Sequence, residues 1–177
     1  QRTKDVAGNT VTEDKVSVPE NAGTYDVIVT AKSGSAFVEG TKTVTDGITI
    51  QPKPFTDNQG NVAVSVLMTP ESFTYNTESH KVEDGNIEVT DTARNVTLTQ
   101  GTDYTITRPD TEIRAAGEYT FTFNGTGNYT GSCTKKIEVR KADLTNAKVE
   151  INGTYTYSGE AQEPGNGDTT QVQVTLD

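Results

Sequence analysis

The sequence predicts an all-β protein built from tandem modules of one kind. Apolar and polar residues alternate in short runs bounded by Gly, Pro, Asn and Asp, which is typical of strands buried on one face. No segment keeps an apolar period of 3.6 residues over three turns, so long helices are not expected. Only 31% of the 177 residues are hydrophobic and Trp is absent, which favours thin two-layer modules over one large core.

The alternation places strands along most of the chain. Because side chains alternate from face to face, Tyr119, Phe121 and Phe123 lie on one face of their strand. Turns recur at the spacing of sandwich domains. The predicted strands span residues 25–31, 41–44, 47–51, 62–68, 72–75, 86–90, 95–99, 104–107, 117–124, 135–140, 147–151, 154–157 and 171–176.

Segments of the chain repeat one another, which indicates tandem modules. Ala22-Gly23-Thr24-Tyr25 matches Ala116-Gly117-Glu118-Tyr119, and an alternating strand follows each of them. Self-similarity at a period of roughly 80 to 95 residues is the signature of repeated domains. The matched segments are 22–25 with 116–119, 48–53 with 137–141, and 73–78 with 155–160.

The linker Gln51-Pro-Lys-Pro54 sets the frame of the repeat. Its two prolines stiffen the chain and are expected to prevent strand pairing across the joint. In this frame 54–141 is a complete module, 1–53 is the C-terminal part of one module, and 142–177 is the N-terminal part of the next. The alternative frame has modules at 1–92 and 93–177. The first frame predicts open sheet edges in both terminal parts, so strands could pair between chains.

Composition and charge disfavour several classes of function. The net charge is −10, and nothing in the sequence forms a Lys/Arg stripe, so neither nucleic acid nor an anionic membrane is an expected partner. No apolar run of 18 or more residues exists, so no membrane span is predicted. The chain begins at Gln1 without a leader pattern, and we expect a fragment of a longer exported protein.

Residues that could carry chemistry are few. His80 is the single histidine and is expected to be an exposed loop residue, so a Ser-His-Asp site would have to centre there. Cys133 is predicted to lie on the inner face of its strand with Lys135, Ile137 and Val139. Two carboxylate pairs that could hydrolyse a glycoside are expected to be solvated loop charges: Glu83/Asp84 and Asp110/Glu112.

The sequence leaves metal, crosslink and glycan sites open as alternatives, and it assigns no catalytic, cofactor or metal residue. Lys135 is the lysine best placed for an internal Lys–Asn isopeptide bond. Tyr104 and Tyr129 could stack on a sugar, although the expected role is packing at module edges with the hydroxyl reaching the backbone. Structural Ca²⁺ would use turn oxygens from Asp5, Asp57, Asp84, Asn86, Asp143 and Asp168.

Four of the sequence elements resemble a known repeat family. They are similar to the tandem Ig-like and MBG-type repeats of large surface proteins and adhesins from gut Firmicutes and Bacteroidetes. The full pattern covers residues 72–139, fragments fall on 22–50 and 155–176, and residues 34–40 depart from it where the Gly-Asn-Tyr-x-Gly turn belongs. The elements are Phe73-Thr-Tyr75-Asn76, Leu98-Thr-Gln-Gly101-Thr-Asp-Tyr104, Ala116-Gly-Glu-Tyr119 and Gly127-Asn-Tyr-Thr-Gly131.

The resemblance implies Ig-like sandwich modules of about seven strands, with β-grasp-like modules as the alternative. It further implies a non-enzymatic stalk or spacer region on the bacterial cell surface, whose partners are neighbouring repeats. The rival function is a carbohydrate-binding or host-protein-binding module, which exposed tyrosines gathered on one face would favour. A long helix in the middle of a unit would instead favour the β-grasp alternative.

Overall fold

The computed structural model describes residues 2–6, 9–13, 18–57, 59–163 and 172–175. Only the backbone is described for the first two segments and for Asn146. The chain is all-β, as predicted: fifteen strands and two single-turn 3₁₀ segments, Asp84–Asn86 and Leu144–Asn146, account for its regular structure in these residues. Among them, no helix is long and apolar enough to cross a membrane.

The strands follow the predicted alternation. They are β1 (Arg2–Val6), β2 (Asn9–Glu13), β3 (Gly23–Thr30), β4 (Thr41–Ile50), β5 (Lys53–Pro54), β6 (Val64–Met68), β7 (Ser72–Thr74), β8 (Ile87–Asp91), β9 (Val96–Thr97), β10 (Tyr104–Thr107), β11 (Gly117–Gly125), β12 (Tyr129–Thr130), β13 (Ser132–Arg140), β14 (Lys148–Ile151) and β15 (Val172–Thr175).

The strands form two larger sheets and several pairs. One sheet has four strands in the order β10-β11-β13-β7, and another has three in the order β6-β8-β9. Four two-stranded pairs complete the described topology: β1-β2, β3-β4, β5-β12 and β14-β15. The pairing is antiparallel in the hairpins, but β12 runs parallel to β5 and β13 runs parallel to β7.

The chain divides into two compact units, which the strands enter and leave several times. The first consists of Gln1–Ser65, Val89–Thr107 and Thr122–Thr134. It contains the β1-β2 and β3-β4 hairpins and the parallel β5-β12 pair. The second consists of Val66–Glu88, Arg108–Phe121 and Lys135–Asp177, and it contains the parallel β13-β7 pair and the β14-β15 hairpin.

Some strands differ from those predicted. The expected strands 41–44 and 47–51 are one strand, β4, with an irregularity opposite Tyr25 and Val27. Residues 154–157, predicted as a strand, form none. The expectation that the linker prolines block pairing is wrong. The residues on either side of Pro54 donate to the segment of β12, Lys53 N to Asn128 O (2.9 Å) and Phe55 N to Thr130 O (2.8 Å), so the missing N–H of Pro54 leaves no bond unmade.

Burial differs sharply along the chain. Every buried hydrophobic side chain among the described residues lies between Phe55 and Val139. Most of the large hydrophobic side chains that are exposed lie outside residues 54–141, with Phe37 79% and Tyr157 95% exposed. The buried hydrophobic side chains of both compact units therefore fall within residues 54–141, whereas the described segments before and after this range leave apolar surface in water.

The repeated Ala-Gly-x-Tyr segments adopt the same local structure. The hydroxyl of Tyr25 donates to the carbonyl of Asn21 (2.9 Å), and the hydroxyl of Tyr119 donates to the carbonyl of Ala115 (2.8 Å). Each tyrosine thus reaches the backbone four residues upstream, at the start of its strand. This is the expected edge role, in which the ring packs and the polar tip finds a backbone partner.

Candidate functional site

A buried carboxylate at the end of β8 is the centre of the most elaborate polar cluster. Asp91 is fully buried. One of its oxygens, Oδ1, accepts hydrogen bonds from Lys53 Nζ (2.5 Å) and from the backbone N–H groups of Ala93 (3.1 Å) and Arg94 (3.2 Å). The other oxygen, Oδ2, accepts from the hydroxyl of Tyr129 (3.1 Å). A buried charge is tolerated only when it is paired and hydrogen-bonded in this way.

The parallel β5-β12 pair positions two of the donors. Lys53 lies directly opposite Tyr129 in this register, so their side chains can reach the same carboxylate. The ring of Phe55 packs edge-on against Tyr129 with centroids 5.7 Å apart. Phe55 and Tyr129 are both buried, while the Lys53 side chain keeps 32% of its surface exposed. The cluster therefore joins the linker to the core while the lysine stem still reaches water.

The environment shifts the pKa values of both acidic groups in the cluster. Burial alone would raise the pKa of Asp91, but the hydrogen bond from Lys53, those from Arg94 N–H and Tyr129, and the charge of Lys53 together hold it below its usual range. Burial raises the pKa of Tyr129, and the hydrogen bond to Asp91 and its negative charge raise it further. Asp91 is therefore ionised and Tyr129 is a neutral donor at pH 7.

This chemistry fits an ion pair better than a covalent crosslink. An amide between Lys53 and Asp91 would require the amine to attack a protonated carboxyl group and water to leave, and the lowered pKa of Asp91 opposes that protonation. Lys135, the lysine singled out from the sequence, is half-buried on β13. It is Lys53, which the sequence analysis missed, that lies against a buried carboxylate.

We expect the intact protein to have the mass that its sequence gives. Asp91 remains a carboxylate, so no leaving group is available for amide formation. Electrospray mass spectrometry of the denatured chain checks this. A mass lower by one water would reveal a Lys–Asp amide, and a mass lower by one ammonia would reveal a Lys–Asn amide at Lys135 or elsewhere; either result would contradict the expectation.

The turn that follows β11 holds both ends of the β3-β4 hairpin. Asn128 Oδ1 accepts from Ala22 N (2.6 Å), and Asn128 Nδ2 donates to Asn21 Oδ1 (2.9 Å), at the entry to β3. The carbonyl of the same residue accepts from Lys53 N (2.9 Å), just beyond the end of β4. We call Asn21, Ala22, Lys53 and Asn128 the joint, because they fix the hairpin at its base.

Two glycines give this turn its shape. Gly127 has a φ of 61°, and a Cβ there would come within 2.9 Å of the Thr102 carbonyl oxygen. At Gly125 a Cβ would lie 2.7 Å from the backbone nitrogen of Thr130. Side chains are excluded from both positions by backbone atoms. The predicted turn role of Gly127 is confirmed, and the turn brings Asn128 to the hairpin.

His80 differs from its predicted setting. It is half-buried, not an exposed loop residue, because its ring stacks on Phe73 (centroids 4.3 Å apart) and its backbone N–H donates to the carbonyl of Ile113 (2.8 Å). Its Nε2 is buried without a hydrogen-bond partner. The neighbouring hydroxyl of Ser79 hydrogen-bonds Glu112. The polar neighbours of His80 in the sequence suggested exposure, but tertiary packing on Phe73 decides its position.

The predicted carboxylate pairs lie on the surface in separate ion pairs and hydrogen bonds. Glu83 pairs with Lys81 (2.9 Å) and Asp84 with Arg108, and both carboxylate side chains are 62% exposed. Glu112 accepts from Ser79, and Asp110 is exposed. The expectation of solvated loop charges is confirmed for these residues.

Two of the carboxylates proposed as Ca²⁺ ligands, Asp57 and Asp143, accept hydrogen bonds within their own turns. Asp57 accepts from the side-chain amide of Asn61 and from the backbone N–H groups of Asn61 and Gln59 in its own turn, and Asp143 accepts from the hydroxyl and the N–H of Thr145. These hydrogen bonds lower the pKa of each carboxyl group. Asp168 and the side chain of Asp5 lie outside the described residues. The described part of the chain brings together no three His, Cys, Asp or Glu side chains that could hold a metal ion.

The two tyrosines considered for glycan stacking are buried. Tyr104 is 3% and Tyr129 is 4% exposed, so neither ring offers a face to a sugar, and the hydroxyl of Tyr129 reaches a side chain, not the backbone. Cys133 is buried on the predicted inner face together with Ile137 and Val139. Burial raises the pKa of its thiol, which opposes formation of a reactive thiolate.

The sequence did carry a signal for Asp91. In Ile87-Glu-Val89-Thr-Asp91, period two puts Asp91 on the face of Ile87 and Val89, both of which are buried. A carboxylate on an inward face requires a partner. Which lysine supplies that partner follows from the two-residue β5-β12 pair, and no alternation pattern predicts so short a ladder.

Comparison with known proteins gives no relative. No family model matches the chain, and neither the curated proteins nor the solved structures contain a match to it. The resemblance to Ig-like and MBG-type surface repeats therefore rests on the four motifs and stays a prediction.

Proposed function

We propose that this chain is a non-enzymatic spacer region of an exported bacterial cell-surface protein or adhesin, made of tandem Ig-like modules. The observation that carries the proposal is the joint. A spacer must transmit position from one module to the next, and here the connection between β4 and the core is fixed by hydrogen bonds instead of being a free linker. Neighbouring repeats are the partners that this function requires.

The Asp91 cluster strengthens the same connection. Lys53 belongs to the joint through its backbone and to the cluster through its side chain, which bonds the buried Asp91. Pulling on the linker would therefore have to break the β5-β12 pair and expose a buried carboxylate. Brief linkers that are anchored in this manner favour stiff arrays over flexible strings of modules.

Two observations support the predicted frame of one complete module at 54–141, although the two compact units each take part of this range. The buried hydrophobic side chains of the described residues lie within it, and exposed apolar residues concentrate in 1–53 and 142–177. Residues 59–141 form no α-helix, which favours an Ig-like module over the β-grasp alternative, in which a helix crosses the sheet.

Replacing Asn128 with Ala is expected to loosen the joint. The variant loses two side-chain hydrogen bonds to Asn21 and Ala22, worth about 1 kcal/mol each. Spin labels at Glu39→Cys and Ala93→Cys, in a Cys133→Ala background, report the distance from the hairpin to the core by pulsed electron paramagnetic resonance. We expect one narrow distribution in the parent and a broadened one in Asn128→Ala.

The matched control is Asn124→Ala, which removes a hydrogen bond to Thr107 on β10 and none to the hairpin. It is expected to leave the distribution narrow. A broad distribution already present in the parent chain would show that the hairpin is free to swing, and the spacer proposal would then lose the observation on which it rests.

The alternative is a carbohydrate-binding or host-protein-binding module, and one observation favours it. Tyr155 and Tyr157, two residues apart, are 42% and 95% exposed, as sugar-stacking rings would be. Binding of a glycan array by the parent chain, abolished by Tyr157→Ala, would establish that function in place of the spacer.

A further inference from the structure

The β3-β4 hairpin exposes an apolar face whose counterpart is buried. We call this the open face; it consists of the half-buried Tyr25 and Val27 and the exposed Val29, Val44 and Ile48. The repeat matches Ile48 with Ile137 and Val29 with Phe123. Ile48 is 45% exposed while Ile137 is 1% exposed, and Val29 is 47% exposed while Phe123 is fully buried. Matched residues are thus buried within residues 54–141 and exposed on the β3-β4 hairpin.

The outer edge of β4 is open where the edge of its counterpart is paired. In the described residues β3 and β4 form a sheet of two strands, whereas β13, which matches β4, carries β7 on its far side. That pairing is parallel, with Val139 opposite Phe73 and Arg140 opposite Thr74. The Tyr75 N–H adds a further hydrogen bond to the Arg140 carbonyl (2.8 Å).

The chain contains a second copy of the segment that would pair there. The repeat matches Phe73-Thr-Tyr75 with Tyr155-Thr-Tyr157. Residues 152–158 form no strand, and Tyr157 is almost fully exposed. This segment has the sequence of a strand, and in the complete module its counterpart is paired. Transferring the β13-β7 register places Ile50 opposite Tyr155 and Gln51 opposite Thr156.

Two further apolar side chains are exposed at the places where a divided module would be open. Phe37 lies in the loop that replaces the Gly-Asn-Tyr-x-Gly turn, whose Tyr129 packs on Phe55. Leu144 lies at the start of the segment that follows residue 141. Phe37 is 79% exposed and Leu144 is 65% exposed, and large apolar side chains in water are what a divided module would leave.

We propose that residues 144–163 and 172–175 of one copy of this chain bind the open face and the β4 edge of a second copy, completing a module between them. Residues 154–157 add a strand parallel to β4 with Ile50 opposite Tyr155. This inference rests on the repeat frame of the proposed function and adds the partner and the register.

Because each copy has one open face and one segment to fill it, the contact is head-to-tail and the assembly lengthens with concentration. The net charge of −10 opposes it, so added salt strengthens it.

Disulfide trapping tests the register. In a Cys133→Ala background, Thr49→Cys and Thr154→Cys are separate single-cysteine chains, one of them labelled with ¹⁵N. Glu138 lies opposite Ser72 in the β13-β7 pair. The repeat matches Glu138 with Thr49 and Ser72 with Thr154, so the proposed register puts Thr49 opposite Thr154. Their Cα atoms would then lie within the separation of about 7 Å that a disulfide spans. We expect mild oxidation of the mixture to give the mixed dimer, identified by mass.

Thr43→Cys replaces Thr49→Cys in the matched control. It lies on the same strand but about 20 Å further along, so we expect on the order of tenfold less mixed dimer because this separation exceeds the reach of the bond. Equal trapping at both positions, or no mixed dimer at millimolar protein in high salt, would overturn the proposal. So would an internal disulfide in the double variant Thr49→Cys/Thr154→Cys, since that result would place the segment on its own chain.

Sedimentation of the cysteine-free chains gives an independent measurement. Ile48→Asp puts a charge on the open face, whereas Val96→Asp puts one on a core-module residue of similar exposure (45% and 42%). We expect the first to abolish concentration-dependent association and the second to retain it. The spin-label experiment reads distances in dilute monomer, so a failure here leaves that result, and the spacer proposal, standing.

Discussion

Asp91→Ala is expected to destabilise the protein by about 3 kcal/mol, the lower end of the cost of breaking a buried ion pair. The lower end applies because the Lys53 side chain is 32% exposed and can turn to water when its partner is lost. Tyr129 and two backbone N–H groups cannot do so, and they would remain buried without an acceptor. Urea unfolding at pH 7, followed by far-ultraviolet circular dichroism, measures the loss.

Two comparisons separate the ion pair from a general effect of substitution. Asp110 is exposed, and Asp110→Ala should change the free energy of unfolding by less than about 0.5 kcal/mol. Adding Lys53→Met to Asp91→Ala should cost nothing further, because the lysine has already lost its partner. An Asp91→Ala variant as stable as the parent would show that the cluster contributes nothing to holding the linker.

The pH dependence of stability follows from the same carboxylate. Since the folded-state pKa of Asp91 is lowered, its contribution is complete above the unfolded value of about 3.9 and is lost as the pH falls through the lower folded value. The test compares the parent chain with Asp91→Asn, and we expect the variant to lose less stability below pH 4. Asp57 and Asp143 also have lowered pKa values, but both are present in the parent and in the variant. The difference in acid sensitivity between the two proteins therefore isolates Asp91.

Sequence patterns predicted the strands well because alternation is a local property. β10 was predicted with its observed bounds, and the inward face of β13 was placed correctly down to Cys133. The segment 154–157 has an equally strong pattern but forms no strand. Its pattern reports only that the segment suits a sheet; whether it pairs depends on a partner strand, which the described chain does not supply.

The candidate site was harder to predict because it depends on contacts between distant parts of the chain. Lys53 and Asp91 are 38 residues apart, and Asn128 and Asn21 are 107 residues apart. The prolines beside Lys53 suggested a linker without pairing, yet only alternate N–H groups are needed there. Motif matching did identify the turn that carries Asn128, but the role of that side chain follows from the geometry of its neighbours.

Ile137→Ala and Ile48→Ala are expected to differ greatly in cost although the repeat matches the two positions. Ile137 is 1% exposed, so truncating it removes buried methyl groups and leaves a cavity, at about 2–5 kcal/mol. Ile48 is 45% exposed, and in dilute protein its truncation should change stability by no more than about 0.5 kcal/mol.

Urea unfolding of both variants at low protein concentration, with amide hydrogen exchange of β4 and β13, makes the comparison. The substitution is the same and the two strands have the same sequence pattern, so differences in β-propensity cancel. The difference between the two changes in the free energy of unfolding then reports the burial of the isoleucine side chain alone. A large cost at Ile48 in dilute protein would mean that the open face is already buried in the single chain, which contradicts its availability to a second copy. A small cost that grows with protein concentration would instead show that Ile48 becomes a core residue only when another chain completes its module.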